Sequence, residues 1–130
     1  MSGSITEISM NGIKFNVPSD TEVSFTKGGK VATESTTYGN GSTRGHFRPI
    51  PGRIAGVIVD IEDDSKFDSL LELAALESLD VVLTDSNGAA YGGAGQIIAS
   101  SEDGIQRNSM NGNTSEEFEI KARNGKFEQL

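Results

Sequence analysis

The stretch TEISMNGIKFNV, from Thr6 to Val17, decides the fold class. Asn11-Gly12 stands between two alternating runs, and Asn-Gly is the preferred pair for a two-residue type I′ turn between antiparallel strands. A turn there pairs Met10 with Ile13 and Ile8 with Phe15. These four side chains fall on one face, and Glu7, Ser9, Lys14 and Asn16 fall on the other. A slip of one residue would turn the charges inward, so the register is well specified. Pro18-Ser19-Asp20 ends the hairpin.

The same alternation continues outward. Val23 and Phe25 alternate with polar neighbours over Thr21 to Thr26, which reads as a short strand. Ile54 to Ile61 is a strand with Val57, Val59 and Ile61 on one face and Ile54 and Ile58 on the other, so it is expected to be covered on both sides. A helix follows over Ser65 to Leu76. Asp63, Asp64 and Ser65 supply its cap, and Ser65 with Asp68 approximates a capping box. Phe67, Leu70, Leu71 and Ala74 make its buried stripe. Asp80 to Thr84 is a strand, turned at Asp85-Ser86-Asn87-Gly88. Gly92-Gly93 suggests a bend or bulge, or close backbone packing, before a strand over Gln96 to Ser101. Ser101 to Ser115 is polar and rich in turn residues. Phe118, Ile120 and Ala122 mark a last strand, with Asn124-Gly125 and Phe127 behind it. Roughly seven strands and one helix result. The 130 residues, 35% of them hydrophobic, suit one domain with a thin core, and sixteen glycines suit a β-rich chain with many turns.

One segment breaks this pattern. Lys27 to Arg53 reads KGGKVATESTTYGNGSTRGHFRPIPGR. Five basic residues (Lys27, Lys30, Arg44, Arg48, Arg53) stand against Glu34 alone and give it +4, so in a chain of net charge −8 the remaining residues carry −12. Structureless loops of this length are uncommon inside a compact domain. Val31 to Tyr38 reads as extended, Gly39-Asn40-Gly41 as a turn, and Ser42 to Arg48 as the return, with Pro49 and Pro51 breaking the pairing. The arm is thus a long hairpin or an extended loop protruding from a single domain. Three uses compete. It is an unstructured loop, a nucleic-acid finger with Tyr38 and Phe47 interleaved among cations, or an assembly arm drawn to the acidic body of a second copy. The last ranks first. Its candidate contact residues are Lys27, Lys30, Tyr38, Arg44, His46, Phe47, Arg48 and Arg53.

Signatures of chemistry are sparse. With no cysteine, thiolate metal sites, disulfides and cysteine nucleophiles are excluded. His46 is the single histidine and has no local partner. Asp60 to Asp64 fails as an EF-hand loop, because Ser65 stands where glycine is required and Leu71 where glutamate is required. Gly92 to Gly95 has no Lys-Ser/Thr after it and opens no helix, so it is not a phosphate cradle. No G-x-S-x-G elbow occurs. An enzyme is not expected, nor is any cofactor or metal. Asn40 and Asn113 head N-x-[ST] sequons, read as chance in a chain rich in these residues. The opening MSGSITEISM lacks a basic region followed by an apolar run, so a signal peptide is not expected, and no apolar stretch approaches the roughly 18 residues of a membrane span, so no membrane anchor is expected.

The opening hairpin SMNGIKFNV, the strand–helix–strand–turn block GRIAGVIVDIEDDSKFDSLLELAALESLDVVLTDSNGAAYGG (Gly52 to Gly93) and the SSEDG turn together resemble the Mu-like tail tube proteins of contractile-tailed phages and related prophage elements. Type VI secretion tube proteins look similar in fold. The resemblance implies an antiparallel β-barrel or sandwich with one flanking helix. It implies hexameric rings that stack into an inner tail tube, with sheath, baseplate and tail terminator proteins as partners. It places the subunit in the virion tail after assembly in the host cytoplasm. DNA would pass through the lumen during ejection without specific binding, and the acidic balance suits such a lumen. The long loop of the family that contacts neighbouring subunits corresponds to Lys27 to Arg53. The alternatives are a type VI secretion-like tube subunit and a monomeric β-sandwich that binds a sugar or other small ligand. The absence of tryptophan speaks against the last.

Overall fold

A computed structural model describes residues 4–61, 63–108 and 112–130. The expectations touching 1–3, Glu62 and 109–111 lie outside the described residues. The opening hairpin forms as its sequence dictates. Strands β1 (Ile5–Met10) and β2 (Ile13–Asn16) pair Met10 with Ile13 and Ile8 with Phe15. Asn11 and Gly12 take φ of 51° and 83°, the left-handed pair that a type I′ turn demands. Ile8, Met10 and Phe15 are fully buried.

The other strands are β3 (Ser24–Thr26), β4 (Gly29–Thr37), β5 (Thr43–Ile50), β6 (Arg53–Val57), β7 (Leu79–Asp85), β8 (Ala90–Ala99), β9 (Phe118–Ala122) and β10 (Glu128–Gln129), with one helix, α1 (Asp64–Ala74). An eight-stranded sheet runs β2-β1-β7-β8-β9-β6-β3, and β10 joins β8 beside β9. Its pairings are antiparallel throughout. The sheet curls around one apolar core without closing into a barrel. Asp60 N–H reaches Asn16 O at 2.8 Å and brings the stretch after β6 against β2. The chain is therefore mainly β, sandwich-like, with one helix. The core joins Ile8, Met10 and Phe15 to Val57, Val59, Ile61, Val81, Leu83, Phe118, Ile120 and Phe127.

Three local readings are corrected. The stretch from Ile54 to Ile61 is not a uniform strand covered on both sides. Gly56 takes φ of 73° and the register to β9 shifts between Ile54 and Val57. This bulge reverses the alternation, so Ile54, Val57, Val59 and Ile61 all enter one core and Ile58 stays half-buried. In α1 the cap is Asp63, whose side chain accepts Lys66 N–H at 2.8 Å, and Ser65 lies inside the helix. The buried residues are Leu70 and Leu73, while Leu71 is exposed. Phe67 and Ala74 pack against the core as expected, so the stripe differs from its sequence reading only in that Leu73 takes the buried place given to Leu71. Gly92-Gly93 makes no bulge: β8 runs straight through it. Close packing accounts for glycine at Gly92, where a Cβ would lie 3.0 Å from Val81 O and from Leu130 Cδ1, and more strongly at Gly95. A Cβ at Gly95 would lie 2.8 Å from Ile120 Cγ2 and 2.9 Å from Val81 Cγ2.

The Asp85 turn is built by its side chain. Asp85 is buried, and its Oδ1 accepts Asn87 N–H at 2.9 Å and Ala89 N–H at 2.8 Å. Asp85→Ala leaves these donors without their acceptor inside the fold. It should cost about 1–3 kcal/mol in urea unfolding, whereas Asp85→Asn, which keeps an acceptor oxygen, should cost less.

Candidate functional site

The arm is a β-ribbon. β4 and β5 pair from Gly29 with Ile50 to Thr37 with Thr43, as a two-stranded sheet separate from the body. All nine residues of β4 are exposed, and in β5 only Gly45 and Ile50 are half-buried. The tip is tied by Tyr38 N–H to Ser42 O at 2.8 Å and by Asn40 Oδ1, which accepts from Ser42 N–H and Ser42 Oγ. Pro49 does not break the pairing, contrary to the sequence reading; it sits opposite Lys30. In a two-stranded ribbon every second N–H points outward, so a proline there removes no ladder bond.

Register sorts the side chains into two faces. Arg44, His46 and Arg48 share one face with Thr36, Glu34 and Val31. Phe47 and Pro49 share the other with Ala32 and Lys30. A bulge between Ala32 and Glu34 takes up one extra residue and keeps Glu34 opposite His46. Phe47 is 61% exposed, yet it lies over Gly45 and Ala32, with Lys30 Nζ 5.2 Å from its ring centre. His46 Nε2 is 2.7 Å from Thr36 Oγ1. Among the described residues Arg44 and Arg48 form no ion pair. In TRGHFRP, arginine and histidine alternate with glycine or apolar residues, which matches the two faces. The pairing partners were not legible there, because the bulge carries no sequence mark.

The remaining candidates divide. Tyr38 stands at the tip, 48% exposed. Lys27 and Arg53 belong to the root. Arg53 lies in β6 and its Nε meets Glu119 Oε2 at 2.6 Å, with Lys121 also near Glu119. Its charge is turned to the body. Lys27 gives its carbonyl to Phe127 N–H and sets its Nζ 6.0 Å from the Tyr91 ring. The cations carried by the ribbon itself are thus Lys30, Arg44 and Arg48, all exposed.

The body offers the opposite sign. An open recess of about 590 Å³ beside the edge strand β3 is lined by Asp20, Glu22, Val23 and Phe25 among others. A neighbouring one of about 410 Å³ adds Glu117. Among the described residues no Lys, Arg or His lines either. Among the described residues no group of three His, Cys, Asp or Glu side chains is placed to hold a metal. What this arrangement can do is present surfaces: a two-faced ribbon, and an acidic edge.

Compared with known proteins, the chain matches no family model, no curated sequence and no solved structure.

Proposed function

We propose that this chain is a structural subunit that assembles with copies of itself through the arm. In the form implied by the resemblance to Mu-like tail tube proteins, six copies make a ring. Rings stack into the inner tail tube of a phage virion, and DNA passes through it on ejection. Sheath, baseplate and terminator proteins would meet the tube from outside. The observation that carries this reading is the ribbon itself. An exposed two-stranded sheet gains little alone, since isolated hairpins are marginally stable in water. Its exposed Phe47, and Arg44 and Arg48 without an ion pair among the described residues, fit a role against another surface, and its charge is opposite to that of the body. Apolar contact at Phe47 would supply affinity, and the arginines would steer and orient. Head-to-tail contacts of this kind propagate into rings or filaments.

The test is association against concentration and salt. In light scattering or sedimentation the protein should grow with concentration into large particles. The variant Arg44→Glu with Arg48→Glu should assemble at least about tenfold more weakly, because like charges then face the acidic body. Its melting temperature should match that of the parent, since neither side chain touches the core. Equal assembly by this variant would remove the arm charges from the account. If the wild-type protein instead bound DNA with steep salt dependence, the ribbon would be a nucleic-acid finger.

A further inference from the structure

Asn-Gly occurs five times in this chain, at Asn11, Asn40, Asn87, Asn111 and Asn124. The pair builds turns, and it is also a site of spontaneous chemistry. Glycine places no side chain beside its own nitrogen. That nitrogen can attack the amide carbon of the asparagine before it. The reaction needs an asparagine side chain free to turn onto the backbone and a glycine N–H free of other bonds. Asn111 lies outside the described residues. The other four are all exposed, so exposure does not rank them.

Hydrogen bonding does. Asn11 is held against β7: its Oδ1 accepts Asp80 N–H at 2.7 Å, and its own N–H donates to Asp80 O at 2.8 Å. At Asn40 both reacting groups are engaged. Oδ1 accepts Ser42 N–H at 3.0 Å, and Gly41 N–H donates to Tyr38 O at 2.9 Å. After Asn87, Gly88 N–H donates to Asp85 O at 3.1 Å. Asn124 differs from all three. Among the described residues neither its side chain nor the Gly125 N–H has a hydrogen-bond partner. Nothing lies within 4 Å of where a Cβ on Gly125 would stand, so that side of the pair is open.

We propose that Asn124 is a deamidation site, the first of these four to react, and that its conversion disturbs the root of the arm. The Gly125 nitrogen bonds to Asn124 Cγ, and the side-chain nitrogen leaves as ammonia with the proton that Gly125 gives up. The cyclic imide then takes up water. Opening at the side-chain carbonyl gives aspartate. Opening at the backbone carbonyl gives iso-aspartate, whose main chain runs through the former side chain and is one carbon longer. No oxidant or reductant takes part.

The extra carbon falls where the loop after β9 is bonded to the arm root. Gly52 N–H donates to Gly125 O at 2.8 Å, Ala122 N–H to Gly52 O at 2.9 Å, and Phe127 N–H to Lys27 O at 2.8 Å. Gly52 leads out of β5 and Lys27 leads into β4. The fit is close: a Cβ at Gly52 would lie 3.0 Å from Lys126 Cα. Both ends of the loop are fixed, Ala122 in β9 and Phe127 by full burial. The added length is therefore taken up between them, and it displaces Gly125 O from Gly52 N–H.

Peptide mapping by mass spectrometry, after incubation in warm, mildly alkaline buffer, tests the site. Position 124 should convert at least about fivefold faster than 11, 40 or 87, since the other pairs must first give up hydrogen bonds. The difference should largely vanish in urea, where every pair is free. Conversion at any of those three as fast as at 124 would overturn the proposal, as would an undiminished preference in urea. Hydrogen exchange tests the consequence. The Gly52 amide should exchange at least about fivefold faster in chains with iso-aspartate at 124 than in the variant Asn124→Asp, which carries the same charge on an ordinary backbone. Equal exchange in the two would overturn the effect on the root. Neither measurement involves a second copy, so both results stand apart from the assembly reading.

Discussion

A chain in which residues 30–49 are replaced by Asn-Gly should fold as the parent does and should form no rings or tubes. The design follows from the register. Gly29 and Ile50 are partners, so a two-residue type I′ turn closes the hairpin between them. The body loses almost nothing, because none of the removed residues is buried and none belongs to the apolar core. Its melting temperature should stay within about 4 °C of the parent, the shift expected from a change near 1 kcal/mol. Assembly should disappear altogether, because the Phe47 face and the Arg44–Arg48 face leave together. Thermal unfolding and sedimentation measured on the same sample separate the two effects. Normal assembly by the shortened chain would show that the arm is dispensable. A large loss of stability would show instead that the arm is part of the body.

Phe15→Ala should have the opposite profile. Phe15 is fully buried, pairs with Ile8 across the opening hairpin, and has Lys66 Nζ of α1 5.2 Å from its ring centre. Truncating a buried phenylalanine costs about 3–5 kcal/mol through lost transfer energy and the cavity left behind. Against a total stability of about 5–15 kcal/mol, that is a third or more of the whole unless the parent lies at the top of that range. Phe47→Ala, the same substitution on the exposed ribbon, should change stability by no more than about 0.5 kcal/mol. It should weaken assembly instead. Urea unfolding of the two variants is the direct comparison. Similar losses at both positions would mean that Phe47 packs on the body.

What the sequence made legible was local. The Asn-Gly turn, the Met10–Ile13 register and the existence of α1 follow from residues within a few positions of one another. The arm was legible as an outlier in charge and glycine content, with its turn at Gly39–Gly41. What escaped was set by distant partners. Gly56 looks like an ordinary glycine in an apolar run, and only its pairing with β9 shows that it inverts the alternation. Leu73 rather than Leu71 is buried because the sheet covers that side of α1. Strand β10 is two residues long and is defined by its bonds to β8, so no periodicity marks it. The arm root is held by backbone bonds from Lys27 and Gly52 to a loop some seventy residues away from the latter, a contact that side-chain pattern does not encode. Arg53 drew attention as part of the basic segment, yet Glu119 on the adjoining strand takes its charge.

Assembly of copies of this chain into a tube through the arm is the proposal with the widest consequences. Electron microscopy of the purified protein over a rising concentration series tests it most directly. Hexagonal rings or hollow tubes of uniform diameter are expected, absent from the arm-shortened chain at the same concentrations. A strict monomer at every concentration, also with tail components added, would contradict it.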